Sequence, residues 1–181
     1  MKKYLWIELF LLLLIFLSFY YAITSYPNLP DKIPIHFGAD GKADVWNTKS
    51  LGNVLAPSYV ILAMEVLFSV CTLIITKSKK DPLRFVNLPI SRDRVSALPP
   101  KAKDEIIEVV LQLMVVIKSI VIAMTSYLSY STIQIALGKQ GTLGEIMWLF
   151  IAALFVVIGW ETTNIYKVVW KAEKPDYNPR I

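Results

Sequence analysis

Apolar residues dominate four stretches of the chain, at about Tyr4–Ile23, Val54–Thr76, Ile106–Leu137 and Ile146–Trp170. Each exceeds the roughly 18 apolar residues that mark a membrane-spanning helix. A single span in lipid must satisfy its own backbone hydrogen bonds, so these runs predict helices rather than strands. The pattern as a whole predicts an all-α integral membrane bundle of four transmembrane helices, forming one domain over residues 1–181. The third run is long for a bilayer: 32 residues at about 1.5 Å each reach about 48 Å, against a hydrocarbon core of about 30 Å. It must tilt, kink or project beyond the lipid.

Polar residues collect in two connections. The first, residues 26–51, reads YPNLPDKIPIHFGADGKADVWNTK from Tyr26 to Lys49 and holds the single histidine, His36. Pro27, Pro30 and Pro34 fix φ and remove donors, so its first half is expected to be extended. Gly38, Asp40 and Gly41 supply turn chemistry. Pro57 is expected in the first turn of the second helix, where proline is tolerated. The second connection, residues 77–104, carries Pro82, Pro89, Pro99 and Pro100 among apolar Leu83, Phe85, Val86, Leu88 and Ile90. That mixture predicts an ordered strap. Asp104, Glu105 and Glu108 follow it and suit the positive end of the third helix.

Composition agrees with the membrane reading: 55% of the 181 residues are hydrophobic, and the mean hydropathy is +0.52. The first run follows Lys2 and Lys3 but is long for a signal sequence, carries Glu8 and lacks a good cleavage site, so an uncleaved anchor is expected. Cys71 is the single cysteine, which excludes an intrachain disulfide and a cysteine-cluster zinc site.

The net charge of +5 would suit nucleic acid if it were clustered on a soluble face. It is instead divided by the spans. Fourteen of the basic residues lie at Lys2 and Lys3, in the second connection (Lys77, Lys79, Lys80, Arg84, Arg92, Arg94, Lys101, Lys103) or after the last span (Lys167, Lys171, Lys174, Arg180). Only Lys32, Lys42, Lys49 and Lys139 lie on the other side. This bias predicts cytoplasmic termini, a cytoplasmic loop at 77–104 and an extracellular loop at 26–51, in a multi-pass protein of the cell membrane. The basic loop is expected to meet anionic headgroups of the bilayer, and nucleic acid is not expected as a partner.

Among the charges within the spans, Glu65 and Lys118 are the two that cannot easily reach a boundary, and Glu161 lies nearer the cytoplasmic end of the fourth run. Counting from the ends of the runs puts Glu65 and Lys118 near the bilayer midplane, where an unpaired charge costs from about 2.5 to more than 10 kcal/mol. Ser58, Ser69, Thr72 and Thr76 share a helical stripe with Glu65, as Thr125, Ser129 and Thr132 do with Lys118. The stripes are expected to face each other or a shared polar interior. Lys118 has two candidate partners, Glu65 and Glu161. The pairing would serve either as a structural ion pair or as a coupling site for an ion.

In the first connection, His36, Asp40 and Asp44 offer the ligand types of a zinc or manganese site. On a backbone broken by proline and glycine their spacing fixes no geometry, and a hydrogen-bonded loop network explains the same residues. No cofactor is implied. No Gly-x-Ser-x-Gly, His-Glu-x-x-His or Walker pattern occurs, so an enzyme is not expected.

The run Leu29-Pro30-Asp31-Lys32-Ile33-Pro34-Ile35-His36-Phe37, followed by Gly41, Asp44, Trp46 and Lys49, resembles the signature of domain-of-unknown-function family 1648, which reads roughly LPDxIPxHFxxxGxxDxWxxK. Asn87-Leu88-Pro89 resembles an Asn-aromatic-Pro element of its second loop, with Leu88 in place of the aromatic, and Ser131–Gly138 resembles the end of its third helix. The resemblance implies a four-helix membrane protein. The same domain resembles the N-terminal part of the immunity protein against a sporulation-delay toxin, a larger protein that also signals. The expected role is therefore an envelope sensor or immunity-type protein that recognises an extracellular peptide or partner, with a cytoplasmic regulator and a homo-oligomer as further expected associations. The alternatives are a small ion-coupled transporter subunit using Glu65 and Lys118, and a metal-binding protein through His36.

Overall fold

The structure is a computed structural model that describes residues 2–78 and 82–174. Lys79, Lys80 and Arg180, which add to the charge bias, lie outside the described residues. The elements are α1 (Leu5–Ser25), β1 (Lys32–Phe37), β2 (Ala43–Thr48), α2 (Leu51–Lys77), α3 (Arg92–Ala97), α4 (Pro100–Ala136) and α5 (Ile146–Ala172). The fold is all-α apart from one small hairpin, and α1, α2, α4 and α5 are each long and apolar enough to cross a membrane. The chain is a multi-pass membrane protein. α4 is 37 residues long, about 55 Å of rise and far more than a bilayer requires.

The ends of these helices follow local chemistry. α1 stops where Pro27, which has no N–H to offer the Ile23 carbonyl, enters a short 3-10 turn. α2 opens on Ser50, whose Oγ accepts a hydrogen bond from the Asn53 N–H at 3.1 Å. Because α2 begins at Leu51, Pro57 stands in its second turn and not its first as expected, which leaves the Asn53 carbonyl without its helical donor. α4 ends in a Schellman motif: Gly138 takes φ +69°, and the Lys139 N–H reaches back to the Gln134 carbonyl at 2.9 Å.

Packing divides the chain into two units, Met1–Val66 with Lys118–Ala153, and Leu67–Ile117 with Leu154–Ile181. In the first unit α1 presents Glu8, Leu11, Ile15, Ser18 and Ala22, spaced by three and four residues along one seam. Leu11 and Ile15 are buried with Ile61 of α2 and Ile122 of α4. Further along, Ala22, Leu29, Ile33, Val54, Leu55 and Ile133 form a second core. Ile33 belongs to β1, so the hairpin is packed onto the helix ends. Two polar contacts cross between helices here: Ser18 and Ser58 share a buried hydrogen bond of 2.8 Å, and the Gln134 amide donates to the Tyr21 hydroxyl.

The second unit is built around the strap. Leu83, Leu88, Val95 and Leu98 are buried with Ile75, Ile106, Ile165 and Val169. Ser91 caps α3 by accepting from the Arg94 N–H, and the Arg92 guanidinium donates to the carbonyls of Leu83 at 2.8 Å, Val86 at 3.0 Å and Arg84 at 3.3 Å. One cation thus organises a backbone that prolines have deprived of regular structure. The Tyr166 hydroxyl donates to the Pro89 carbonyl at 2.7 Å, and Arg94 pairs with Glu173 at 2.8 Å.

Candidate functional site

The loop of residues 26–51 is an antiparallel hairpin. Lys32 pairs with Thr48, Ile33 with Asn47 and Pro34 with Trp46, and an irregularity between Pro34 and His36 shifts the register. Pro34 can occupy β1 because a two-stranded sheet leaves one edge of each strand free of ladder bonds. The turn closes through the Gly38 N–H to the Lys42 carbonyl and the Gly41 N–H to the Gly38 carbonyl, both 2.9 Å. Gly41 takes φ +73°, a conformation glycine adopts without steric penalty. The Gly41 carbonyl accepts from the Leu143 N–H at 2.9 Å, and the Tyr127 hydroxyl donates to the Leu143 carbonyl at 2.7 Å. The hairpin turn is therefore latched to the α4–α5 connection and, through it, to α4.

The motif residues have separable tasks in this arrangement. Pro34 is fully buried beside Ile33. The Lys49 N–H donates to the Asp31 carbonyl at 2.7 Å, while its ammonium donates to the Leu29 carbonyl at 2.7 Å and lies 5.3 Å from the Tyr26 ring centre. Pro30 and Trp46 are exposed. His36 Nδ1 meets Asp44 Oδ1 at 2.6 Å. Asp40 turns instead to the Lys42 N–H, which donates to its Oδ1 at 3.0 Å. Of the three candidate metal ligands, His36 and Asp44 are brought together and Asp40 is engaged elsewhere; among the described residues no three His, Cys, Asp or Glu side chains converge on one point. Purified without chelator or histidine tag, the protein is expected to carry well under one equivalent of zinc or manganese. His36→Gln should leave membrane insertion unchanged and quicken protease cleavage near Gly38–Gly41; stoichiometric metal lost in His36→Ala would show that the pair is a ligand set instead.

Beneath the hairpin lies an open cavity of about 370 Å³. Its walls are Ile35, His36 and Phe37 of β1, the turn, Leu128 of α4, and Met147, Trp148 and Ile151 of α5. Apart from the His36 ring the lining side chains are apolar. Sequence periodicity gives no signal for this cavity, because it exists only once the hairpin is latched onto Leu143.

The second cluster lies in the helices. The Lys118 ammonium donates to Glu8 Oε2 at 2.5 Å and to Glu65 Oε1 at 3.2 Å, with its own side chain 5% exposed. Three helices are thereby joined through one cation. Glu8 is the partner that spacing analysis overlooked, although it heads the α1 seam. Glu161, the other partner offered by the sequence, accepts from the Asn164 amide at 3.0 Å. The hydroxyl stripes are mostly satisfied within their own helices: Thr72 donates to the Phe68 carbonyl, Thr76 to Thr72, Thr125 to Val121 and Thr132 to Leu128. Counted from the hairpin ends of the helices, Glu65 lies about 21 Å, Glu8 about 25 Å and Lys118 about 27 Å along. The three charges thus stand at similar distances from the hairpin ends of their helices, as their joining through one ammonium requires.

A membrane protein of four long helices whose first connection is a hairpin latched over an apolar cavity is the class these features define. Residues 13–61, which run from α1 through the hairpin into α2, match the family model described as Domain of unknown function (DUF1648). No curated protein and no solved structure matches the chain.

Proposed function

We propose that the protein is a non-enzymatic recognition protein of the cell membrane, of the sensor or immunity type, whose hairpin receives an extracellular peptide or envelope partner. The observation that carries this reading is the apolar cavity under a hairpin held by its own fold. Ile33 and Pro34 are buried, the turn is bonded to Leu143, and the space beneath stays open. The positive-inside bias supports an outward-facing hairpin and an inward-facing strap. The strap, with its own core and exposed arginines, is a surface for a cytoplasmic regulator or for anionic headgroups. A strain lacking the protein is expected to change in sensitivity to peptide toxins or in its envelope-stress response, and the phenotype should be restored by the wild-type chain. Unchanged sensitivity on both counts would contradict the proposal.

A second reading, a small ion-coupled transporter subunit, is supported by one observation: a buried ammonium held between two carboxylates. It separates cleanly from a structural cluster. In proteoliposomes Glu65→Gln should abolish substrate flux at unchanged thermal stability if the site couples transport, whereas a structural role predicts lost stability in detergent.

A further inference from the structure

The hairpin cavity combines two chemistries. Its floor, from Phe37, Leu128, Met147, Trp148 and Ile151, is apolar. Its edge at Gly38 carries carboxylate: Asp40 Oδ1 and Asp44 Oδ2 lie 3.2 and 3.5 Å from the position that a Cβ on Gly38 would occupy. Asp44 holds His36 through Nδ1. Because an ionised carboxylate only accepts, Nδ1 carries the proton, and in the neutral ring Nε2 is left as a further acceptor. Among the described residues no carboxylate lines the cavity itself; beside the lining residues in the chain stand Asp40, Asp44 and Glu145, against the cation Lys42. Lys42 is already 3.6 Å from Asp40 Oδ2. Counting Lys139 of the adjoining turn still leaves three carboxylates against two ammonium groups. In a chain of net charge +5, the cavity mouth is locally acidic and rich in acceptors.

Resting on the recognition reading above, we propose that this groove binds a cationic amphipathic peptide, whose apolar face enters the cavity and whose lysine or arginine side chains meet the Asp40–Asp44–His36 edge. An apolar floor beneath an acidic rim is complementary to that class of ligand and disfavours an acidic peptide. The Gly41–Leu143 and Tyr127–Leu143 hydrogen bonds hold the groove open before the ligand arrives, which lowers the ordering cost of binding.

The full-length protein in nanodiscs of uncharged phosphatidylcholine provides the test, with a dye-labelled peptide of leucine and lysine as probe and its twin, glutamate replacing lysine, as control. The lysine peptide should bind saturably, and about tenfold more weakly to Asp44→Asn, the size expected for loss of one charge-assisted contact. Met147→Trp, which fills the cavity, should remove saturable binding. Ala39→Phe does the same from an exposed turn position and so guards against a misfolded Met147 variant. Equal affinity for wild type and both filled variants would overturn the proposal. If the glutamate peptide binds as well and is lost on filling, the charge assignment falls while recognition at the groove survives. If neither peptide binds, the proposal is overturned; a phospholipid that copurifies with wild type and is displaced by filling would then identify a lipid site. The recognition reading itself fails or stands on the deletion phenotype.

Discussion

Replacing Lys118 by methionine should lower stability more than any other single change in the helices. The ammonium donates to the Glu8 carboxylate at 2.5 Å and lies 3.2 Å from that of Glu65. Removing it takes the shared ammonium from between two carboxylates in a layer that hydrates them poorly. Breaking a buried ion pair from one side costs about 3–5 kcal/mol, because the charge left behind keeps its desolvation penalty. On the scale of soluble domains of similar length, that corresponds to a fall of about 10 °C in the unfolding midpoint in detergent. The triple change Glu8→Gln, Glu65→Gln and Lys118→Met removes all three charges and should recover most of the loss, since the penalty belongs to the unpaired charges and not to the absent bond. A Lys118→Met protein as stable as wild type would mean that the cluster contributes nothing to holding α1, α2 and α4 together.

Leu83→Ala should have the next largest effect, confined to the strap. The side chain is 1% exposed in the core of Leu88, Val95, Leu98, Ile106 and Ile165, and truncating such a leucine costs about 2–5 kcal/mol. Its carbonyl also receives the shortest of the three Arg92 hydrogen bonds, so loosening this turn disturbs the scaffold of the whole connection. Trypsin reports the outcome: cleavage after Arg84, Arg92 and Arg94 should quicken by about 30-fold or more, the consequence of losing at least 2 kcal/mol against local opening. The hairpin, in the other unit, should keep its wild-type protection. Cleavage at the wild-type rate would show that the strap is not held by this core.

The four helices were legible because span length is set by the bilayer, and a run of apolar residues reports it directly. The hairpin was only half legible. Its prolines announce an extended chain, but pairing of β1 with β2 is a tertiary event, and Pro34 in mid-strand argues against a strand until its free edge is known. The charge cluster shows a different limit. Glu65 and Lys118 stand out in apolar runs, whereas Glu8, close to Lys2 and Lys3, reads as part of a polar end. The usable signal was its place at the head of the Leu11, Ile15, Ser18, Ala22 seam. The threonines misled in the opposite direction: a hydroxyl stripe resembles a polar interior, but within a helix each threonine can donate to a carbonyl one turn back. The groove could not be read at all, since residues 35–41 and 128–151 are far apart in sequence and are brought together by tertiary contacts such as the latch at Leu143.

Everything proposed for the groove requires the hairpin to face outward while the strap faces inward. Single cysteines at Asp40 and at Arg94, each in a Cys71→Ser background, test this in intact cells with a membrane-impermeant maleimide. The Asp40→Cys protein should label at once and the Arg94→Cys protein only after permeabilisation; the reverse pattern would place the groove on the cytoplasmic side and contradict the account.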